Sequence, residues 1–86
     1  MIDSTVKRIF AEAYLYSQVI SITYRKQSDK KVVRRKIEPY EFKDGYLWGY
    51  DITPSLPNKK KSIKKWISKN IINMNVEKEK FKKRKF

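Results

Sequence analysis

Residues 18–38 read QVISITYRKQSDKKVVRRKIE and predict a β-hairpin. The first half, 18–26, is rich in β-branched and aromatic residues and contains no Gly or Pro, which favours a strand. Residues 27–30 are polar and of hairpin-loop length, and residues 31–38 alternate again as the return strand. An antiparallel pair of strands is therefore the unit around which the rest of the chain is arranged.

The sequence after this hairpin predicts further short strands. Pro39 bends the return strand or ends its pairing, and Asp44-Gly45 is a strong signal for a tight hairpin turn. Residues 46–52, YLWGYDI, form the next strand, with Tyr46, Trp48, Tyr50 and Ile52 on one face. Residues 53–60 are predicted to be a loop, and residues 61–69 suit either a strand or a helical turn. Residues 71–76 are predicted to be a final strand, and 77–86 a charged tail.

Residues 2–16 predict an amphipathic helix before the hairpin. Asp3 or Ser4 is expected to accept hydrogen bonds from the free amides of its first turn. The period of the apolar residues changes from 3.6 to 2 near Ser17, where the helix must end. Its apolar stripe consists of Ile2, Val6, Ile9, Ala13 and Tyr16, widened by Phe10 and Tyr14.

Eighty-six residues make one small domain. Four or five short strands are too few for a sandwich, so the fold class is mainly β with one N-terminal helix: a small SH3-like or Sm-like β-barrel, the helix covering one open end. Residues 1–17 are the helix, 18–76 the barrel and 77–86 a basic C-terminal tail. The predicted core consists of Ile9, Phe10, Ala13, Ile20, Ile22, Ile37, Leu47 and Met74.

Composition excludes several functional classes. The chain has no Cys and no His, which removes disulfides, thiolate metal sites, the commonest metal ligand and the commonest general base. Two Gly cannot form a Gly-rich phosphate loop. We therefore expect no enzyme activity, no cofactor and no metal. No apolar run reaches membrane-spanning length and no signal peptide is recognisable, so a cytoplasmic protein without a membrane partner is expected.

Positive charge is the strongest functional signal. Lys and Arg number 22 against 9 acidic residues, which gives a net charge of +13. The excess is clustered: residues 18–38 carry +5, 52–70 carry +6 and 71–86 carry +4, whereas 39–51 carry −2. A generally Lys-rich, solvated surface is one interpretation. Clusters with aromatic residues between them favour a surface that binds phosphate groups.

Nine residues are the candidates for that surface. Arg side chains on paired strands can bind phosphate in bidentate fashion, Lys adds point charge and aromatic rings can stack on bases. Arg35 is singled out because alternation places it on a partly buried face, where it needs Glu38, Glu41, Asp51 or a bound anion as partner. The candidates for nucleic-acid or anion binding are Tyr24, Arg25, Arg34, Arg35, Lys36, Tyr46, Lys64, Lys65 and Trp66.

The aromatic row Tyr46, Trp48 and Tyr50 has two interpretations. Aromatic residues at period two in a small barrel are usually core, and this is the interpretation preferred for Trp48 and Tyr50. Beside cations on an outer face, the same row would stack on bases. Gly49 within it would allow another chain segment or a ligand to approach the backbone.

Several of these motifs together resemble the WYL domain family. Tyr24-Arg25 ends a strand as in that family, residues 35–40 (RKIEPY) match its basic strand running into Glu-Pro-Tyr, and residues 45–51 (GYLWGYD) match its Trp-Tyr-Leu strand, with Gly45 in place of the Trp. The resemblance continues loosely through residues 65–76. It implies an SH3-like or Sm-like barrel behind a helix, and a basic, aromatic pocket that binds nucleic acid or a small anionic ligand.

The function we predict is a stand-alone WYL-like module, of the kind carried by phages or mobile elements, that binds single-stranded or structured nucleic acid with little sequence choice. The alternative is a small regulator that docks on a host protein, to whose acidic surface the charge would also attract it. A third possibility is a sensor of a small anionic ligand such as a nucleotide.

Overall fold

Five strands and one N-terminal helix account for most of the described chain. The computed structural model describes residues 1–53 and 63–82. The elements in chain order are helix α1 (Asp3–Leu15), strands β1 (Gln18–Arg25), β2 (Val32–Lys43), β3 (Tyr46–Asp51) and β4 (Ile63–Ile67), a 3₁₀ turn (Ser68–Asn70) and strand β5 (Ile71–Lys80). The prediction of a mainly β fold behind one helix is confirmed.

The strands form one antiparallel sheet in the order β4-β3-β2-β1-β5. Within the described residues the edge strands β4 and β5 do not pair with each other, so the sheet is not closed by hydrogen bonds. The arrangement is consistent with the small barrel-like fold that was predicted. Helix α1 packs against β1, β2 and β5.

Strand β2 takes part in two hairpins because it is long and bends. Its first half pairs with β1, from Val32 opposite Arg25 to Ile37 opposite Ile20, and its second half pairs with β3. The register with β3 shifts between Pro39 and Glu41. Pro39 has no N–H to give to a ladder, and a bulge at this point increases the local twist and bends the strand. The prediction that Pro39 interrupts regular pairing is confirmed, and β2 continues beyond it to Lys43.

The turn between β2 and β3 is the predicted Asp44-Gly45 turn. Both residues have positive φ, 55° and 78°, which is the geometry of a tight two-residue hairpin turn. The β1–β2 connection is also a short polar turn: the Lys26 amide donates to the Lys31 carbonyl at 2.8 Å, and Lys30 has a φ of 62°.

The core lies between α1 and the inner face of the sheet. Six of the eight predicted core residues are buried, while Ile9 and Phe10 are partly buried and pack against the core. Sequence reasoning missed four further members: Val6, Tyr24, Trp66 and Ile71. The four come from α1, β1, β4 and β5, so their place in one core depends on contacts between elements distant in the chain.

The ends of the helix differ from the prediction. Ile2 is the N-cap and Tyr16 the C-cap, and their side chains are 69% and 57% exposed, so the ends of the proposed apolar stripe are outside the core. Neither Asp3 nor Ser4 caps the first turn. The Asp3 carboxylate instead accepts a hydrogen bond from the Ser68 hydroxyl in the 3₁₀ turn. Asp3 thus binds the distant Ser68 instead of the amides of its own helix turn.

The C-terminal half also refines the predicted boundaries. Of the ambiguous residues 61–69, those from Ile63 to Ile67 are a strand rather than a helical turn. The last strand runs to Lys80, so the first residues of the predicted tail, 77–80, belong to the sheet. The predicted loop at 53–60 lies, after Thr53, outside the described residues, as do residues 83–86.

Truncation of Leu47 to Ala should lower the free energy of unfolding by about 2–5 kcal/mol, because its side chain is fully buried. Leu15→Ala is the matched control, since Leu15 is 70% exposed and should change stability by less than about 0.5 kcal/mol. Urea denaturation followed by circular dichroism measures both. Equal effects of the two substitutions would show that the inner face of β3 has been misassigned.

Candidate functional site

The alternation of β3 separates a core face from an outer aromatic face. Leu47 and Gly49 are buried, whereas Tyr46, Trp48 and Tyr50 are only partly buried. A Cβ on Gly49 would lie 2.5 Å from the Glu38 carbonyl oxygen, so its place is taken by the backbone of β2. The prediction that Gly49 permits a close chain approach is confirmed, and the preference for Trp48 and Tyr50 as core residues is wrong.

The outer face of β3 and β4 forms a groove, which we call the aromatic groove. It has a volume of about 450 Å³. Cross-strand pairing places Lys65 opposite Trp48, and the Lys65 ammonium lies 4.6 Å from the centre of the Tyr46 ring and 5.7 Å from that of Trp48. The lining residues are Tyr40, Glu41, Lys43, Asp44, Tyr46, Trp48, Ile63 and Lys65.

This groove combines ring faces with a positive charge that, among the described residues, only the rings hold. The contact of Lys65 with two rings is a cation–π interaction, worth about 0.5–1 kcal/mol at an exposed site, so a ligand can displace it. A base could then stack on a ring while the ammonium moves to a phosphate oxygen. The groove therefore has the two components that single-stranded nucleic acid requires.

A second depression, the polar groove, lies on the outer face of β2, β1 and β5. Its volume is about 370 Å³. Its lining has no residue in common with the aromatic groove and consists of Ser21, Ile22, Thr23, Arg34, Arg35, Lys36, Thr53, Asn75 and Glu77. Arg34 is exposed, whereas the Lys36 ammonium pairs with Glu79.

Asp51 is the partner of Arg35, and it is one of the four alternatives that the sequence left open. The Arg35 Nε lies 3.5 Å from Asp51 Oδ2, and the Asp51 side chain is only 3% exposed. Lys64 Nζ lies 3.9 Å from the same oxygen, while Oδ1 accepts hydrogen bonds from the amide and hydroxyl of Thr53. Within the described residues Oδ2 accepts no hydrogen bond, so the two cations alone compensate it. This ion cluster ties β2, β3 and β4 together.

Two of the nine candidates belong to the core and not to a binding surface. Trp66 is 6% exposed and lies opposite Leu47 on the inner face. Tyr24 is 9% exposed, and its hydroxyl accepts a hydrogen bond from the Ile67 amide at 3.0 Å. The prediction that both rings line an open face is wrong, because the inner faces of β1 and β4 meet over the same core.

The other seven candidates are distributed over several places. Tyr46 and Lys65 line the aromatic groove, Arg34 and Lys36 the polar groove, and Arg25 is exposed at the end of β1 outside both linings. Arg35 and Lys64 are held at Asp51, with Arg35 also at the edge of the polar groove. The single face that the sequence predicted is thus replaced by two grooves and an ion cluster.

Sequence reasoning omitted Trp48 and Tyr40 from the candidates. A signal for Trp48 was available: Leu47 is predicted to be buried, and strict alternation then places Trp48 on the outer face. Tyr40 gave no such signal, because it follows the bulge, where the alternation of β2 is interrupted.

Neither a protein-family model nor a curated protein matches the chain. The described residues contain no cluster of three acidic side chains able to hold a metal ion. Among their helices, none has the length and apolar character needed to cross a bilayer.

Replacement of Asp51 by Ala should lower the free energy of unfolding by about 3 kcal/mol, because it leaves the partly buried Arg35 without its counter-charge. Asp29→Ala is the control: its ion pair with Lys26 is exposed on both sides and should contribute less than about 1 kcal/mol. Chemical denaturation of the two variants makes the comparison. A loss no larger for Asp51→Ala than for Asp29→Ala would refute a structural role for the cluster.

Proposed function

We propose that this protein binds single-stranded nucleic acid through the aromatic groove, with little sequence choice. The observation that carries the proposal is the side-by-side placement of Tyr46 and Trp48 on an outer strand face, with the Lys65 ammonium within 5.7 Å of both ring centres. Half-buried rings beside a cation are the arrangement used by non-specific single-strand binders.

The spacing of the two rings suits consecutive bases. Residues two apart on a strand point to the same side and are separated by about 7 Å along it. Tyr46 and Trp48 can therefore each receive one base of an extended strand. Since every base has a π-face and Lys65 acts as a point charge, neither contact distinguishes one base from another.

The charge of the chain supports the same ligand. A net charge of +13 attracts a polyanion from a distance and makes its binding sensitive to salt. The WYL resemblance agrees with this proposal, because that family binds nucleic acid or small anionic ligands. Docking on an acidic host protein would draw on the same long-range attraction, but it would not require stacking on Trp48.

Trp48→Ala should weaken binding of a short single-stranded oligonucleotide about tenfold, because the loss of one stacked base costs about 1–3 kcal/mol. The salt dependence should stay unchanged, since stacking releases no counterions. Lys65→Ala should instead flatten the slope of log K against log salt by about one unit. Fluorescence anisotropy at several salt concentrations measures both effects.

Tyr16→Ala is the control, because it removes a 57% exposed ring from the end of α1, away from the groove. Oligonucleotide affinity that is equal for Trp48→Ala, Tyr16→Ala and wild type would refute the proposal. Pull-downs with and without nuclease then address docking: a protein partner retained after nuclease treatment, and insensitive to Trp48→Ala, would replace nucleic acid as the ligand.

A further inference from the structure

We propose that the polar groove is a second binding site, specific for a sugar phosphate: a phosphate ester whose sugar carries free hydroxyl groups. If the natural ligand is a nucleic-acid strand, this inference rests on the proposed function and extends it. The site itself depends on the chemistry of β2, β1 and β5, not on the aromatic groove.

The strand register builds this site from two rows of similar composition. Lys36, Ser21 and Asn75 are directly opposite one another across β2, β1 and β5. Arg34, Thr23 and Asn73 form the next row, displaced by two residues; Asn73 continues this row on β5 outside the lining of the groove. Each row presents a cation, a hydroxyl and a carboxamide in that order. Because directly opposed residues share a face, the six polar side chains lie on the outer side of the sheet.

The two cations differ in their availability. Lys36 forms an exposed ion pair with Glu79 of β5, on the other side of β1, and this pair competes with a ligand for its ammonium. Arg34 is exposed, and within the described residues its guanidinium forms no ion pair. A planar guanidinium with several free N–H donors is suited to bidentate binding of a phosphate group. Arg34 is therefore the phosphate anchor.

The floor of the groove favours a sugar over a base. Ser21, Thr23 and Asn75 offer hydroxyl and amide groups that both donate and accept hydrogen bonds, as sugar hydroxyls do. None of the described residues that line the groove is aromatic, so a base would find no ring on which to stack. The chemistry thus complements that of the aromatic groove.

Glu77 makes the two ends of the polar groove different in charge. It lines the groove on β5, two residues beyond Asn75 and on the side away from Asn73 and the Arg34 row. Its carboxylate repels a phosphate group and accepts hydrogen bonds from hydroxyl groups. A ligand with the phosphate at Arg34 and its sugar hydroxyls towards Glu77 satisfies both ends.

The test is an amide NMR titration of the full chain with ribose 5-phosphate, compared with ribose and inorganic phosphate alone. Ribose 5-phosphate should bind more tightly than either part and shift the amides of Ser21, Thr23 and Asn75. Arg34→Ala should weaken its binding about tenfold, and Thr23→Val, which removes a hydroxyl at nearly constant shape, about threefold. Arg8→Ala removes the same charge from an exposed position on α1 outside the groove and should have little effect.

Equal losses for Arg8→Ala and Arg34→Ala would overturn the inference, because the attraction would then be generic. The absence of saturable shifts at the groove amides would do the same. The melting temperature of each variant is measured alongside its affinity. If Arg34→Ala is unfolded, Thr23→Val with an unchanged melting temperature serves as the test of the groove in its place.

An abasic single-stranded oligonucleotide distinguishes the two sources of a sugar phosphate. If it binds more tightly than ribose 5-phosphate and is weakened by Arg34→Ala but not by Trp48→Ala, the groove holds a nucleic-acid backbone. If it binds no better, the groove is a site for a free sugar phosphate. If only oligonucleotides with bases bind, through Trp48, the second site is refuted while the proposed function stands. If ribose 5-phosphate binds through Arg34 and Trp48→Ala leaves oligonucleotide affinity unchanged, the proposed function is refuted while the second site stands.

Discussion

The contact between β2 and β3 at the bulge is the constraint on which the rest of the structure depends. Gly49 lies where the backbone of Glu38 leaves no room for a Cβ, and the register shifts within the next few residues of β2. A strand that is displaced in this way bends and changes the face that it presents. Strand β2 can then pair with β1 along one half and with β3 along the other, and a single hydrophobic core becomes possible in a short chain.

The same bend separates the surfaces. Before it, β2 contributes Arg34 and Lys36 to a polar outer face shared with β1 and β5. After it, β2 contributes Tyr40 to an aromatic outer face shared with β3 and β4. One continuous strand therefore supports two grooves of different chemistry, one polar and one aromatic. In a flat sheet, the side chains that line the two grooves would lie on one common surface.

Net charge alone is a poor guide to which cations can bind a ligand. Arg35 is committed to the buried Asp51, Lys64 lies near the same carboxylate, and Lys36 is paired with Glu79. At Asp51 the two cations compensate a carboxylate that is only 3% exposed, whereas the Lys36–Glu79 pair lies at the surface. Arg25 and Arg34 are exposed without an ion pair in the described chain, and Lys65 is held only by rings, so these three candidates remain available.

The local features of this protein follow from its sequence. The hairpin at 18–38, the Asp44-Gly45 turn, the bend at Pro39 and most of the core can be predicted, because strand alternation, positive φ and the missing N–H of Pro depend on neighbouring residues only. The need of Arg35 for an acidic partner follows in the same way. Only the tertiary structure decides that Trp66 and Tyr24 are core, that Trp48 is outside and that the cations form no single face. Those outcomes depend on how far the sheet bends and which inner faces meet, and such contacts join residues distant in the chain.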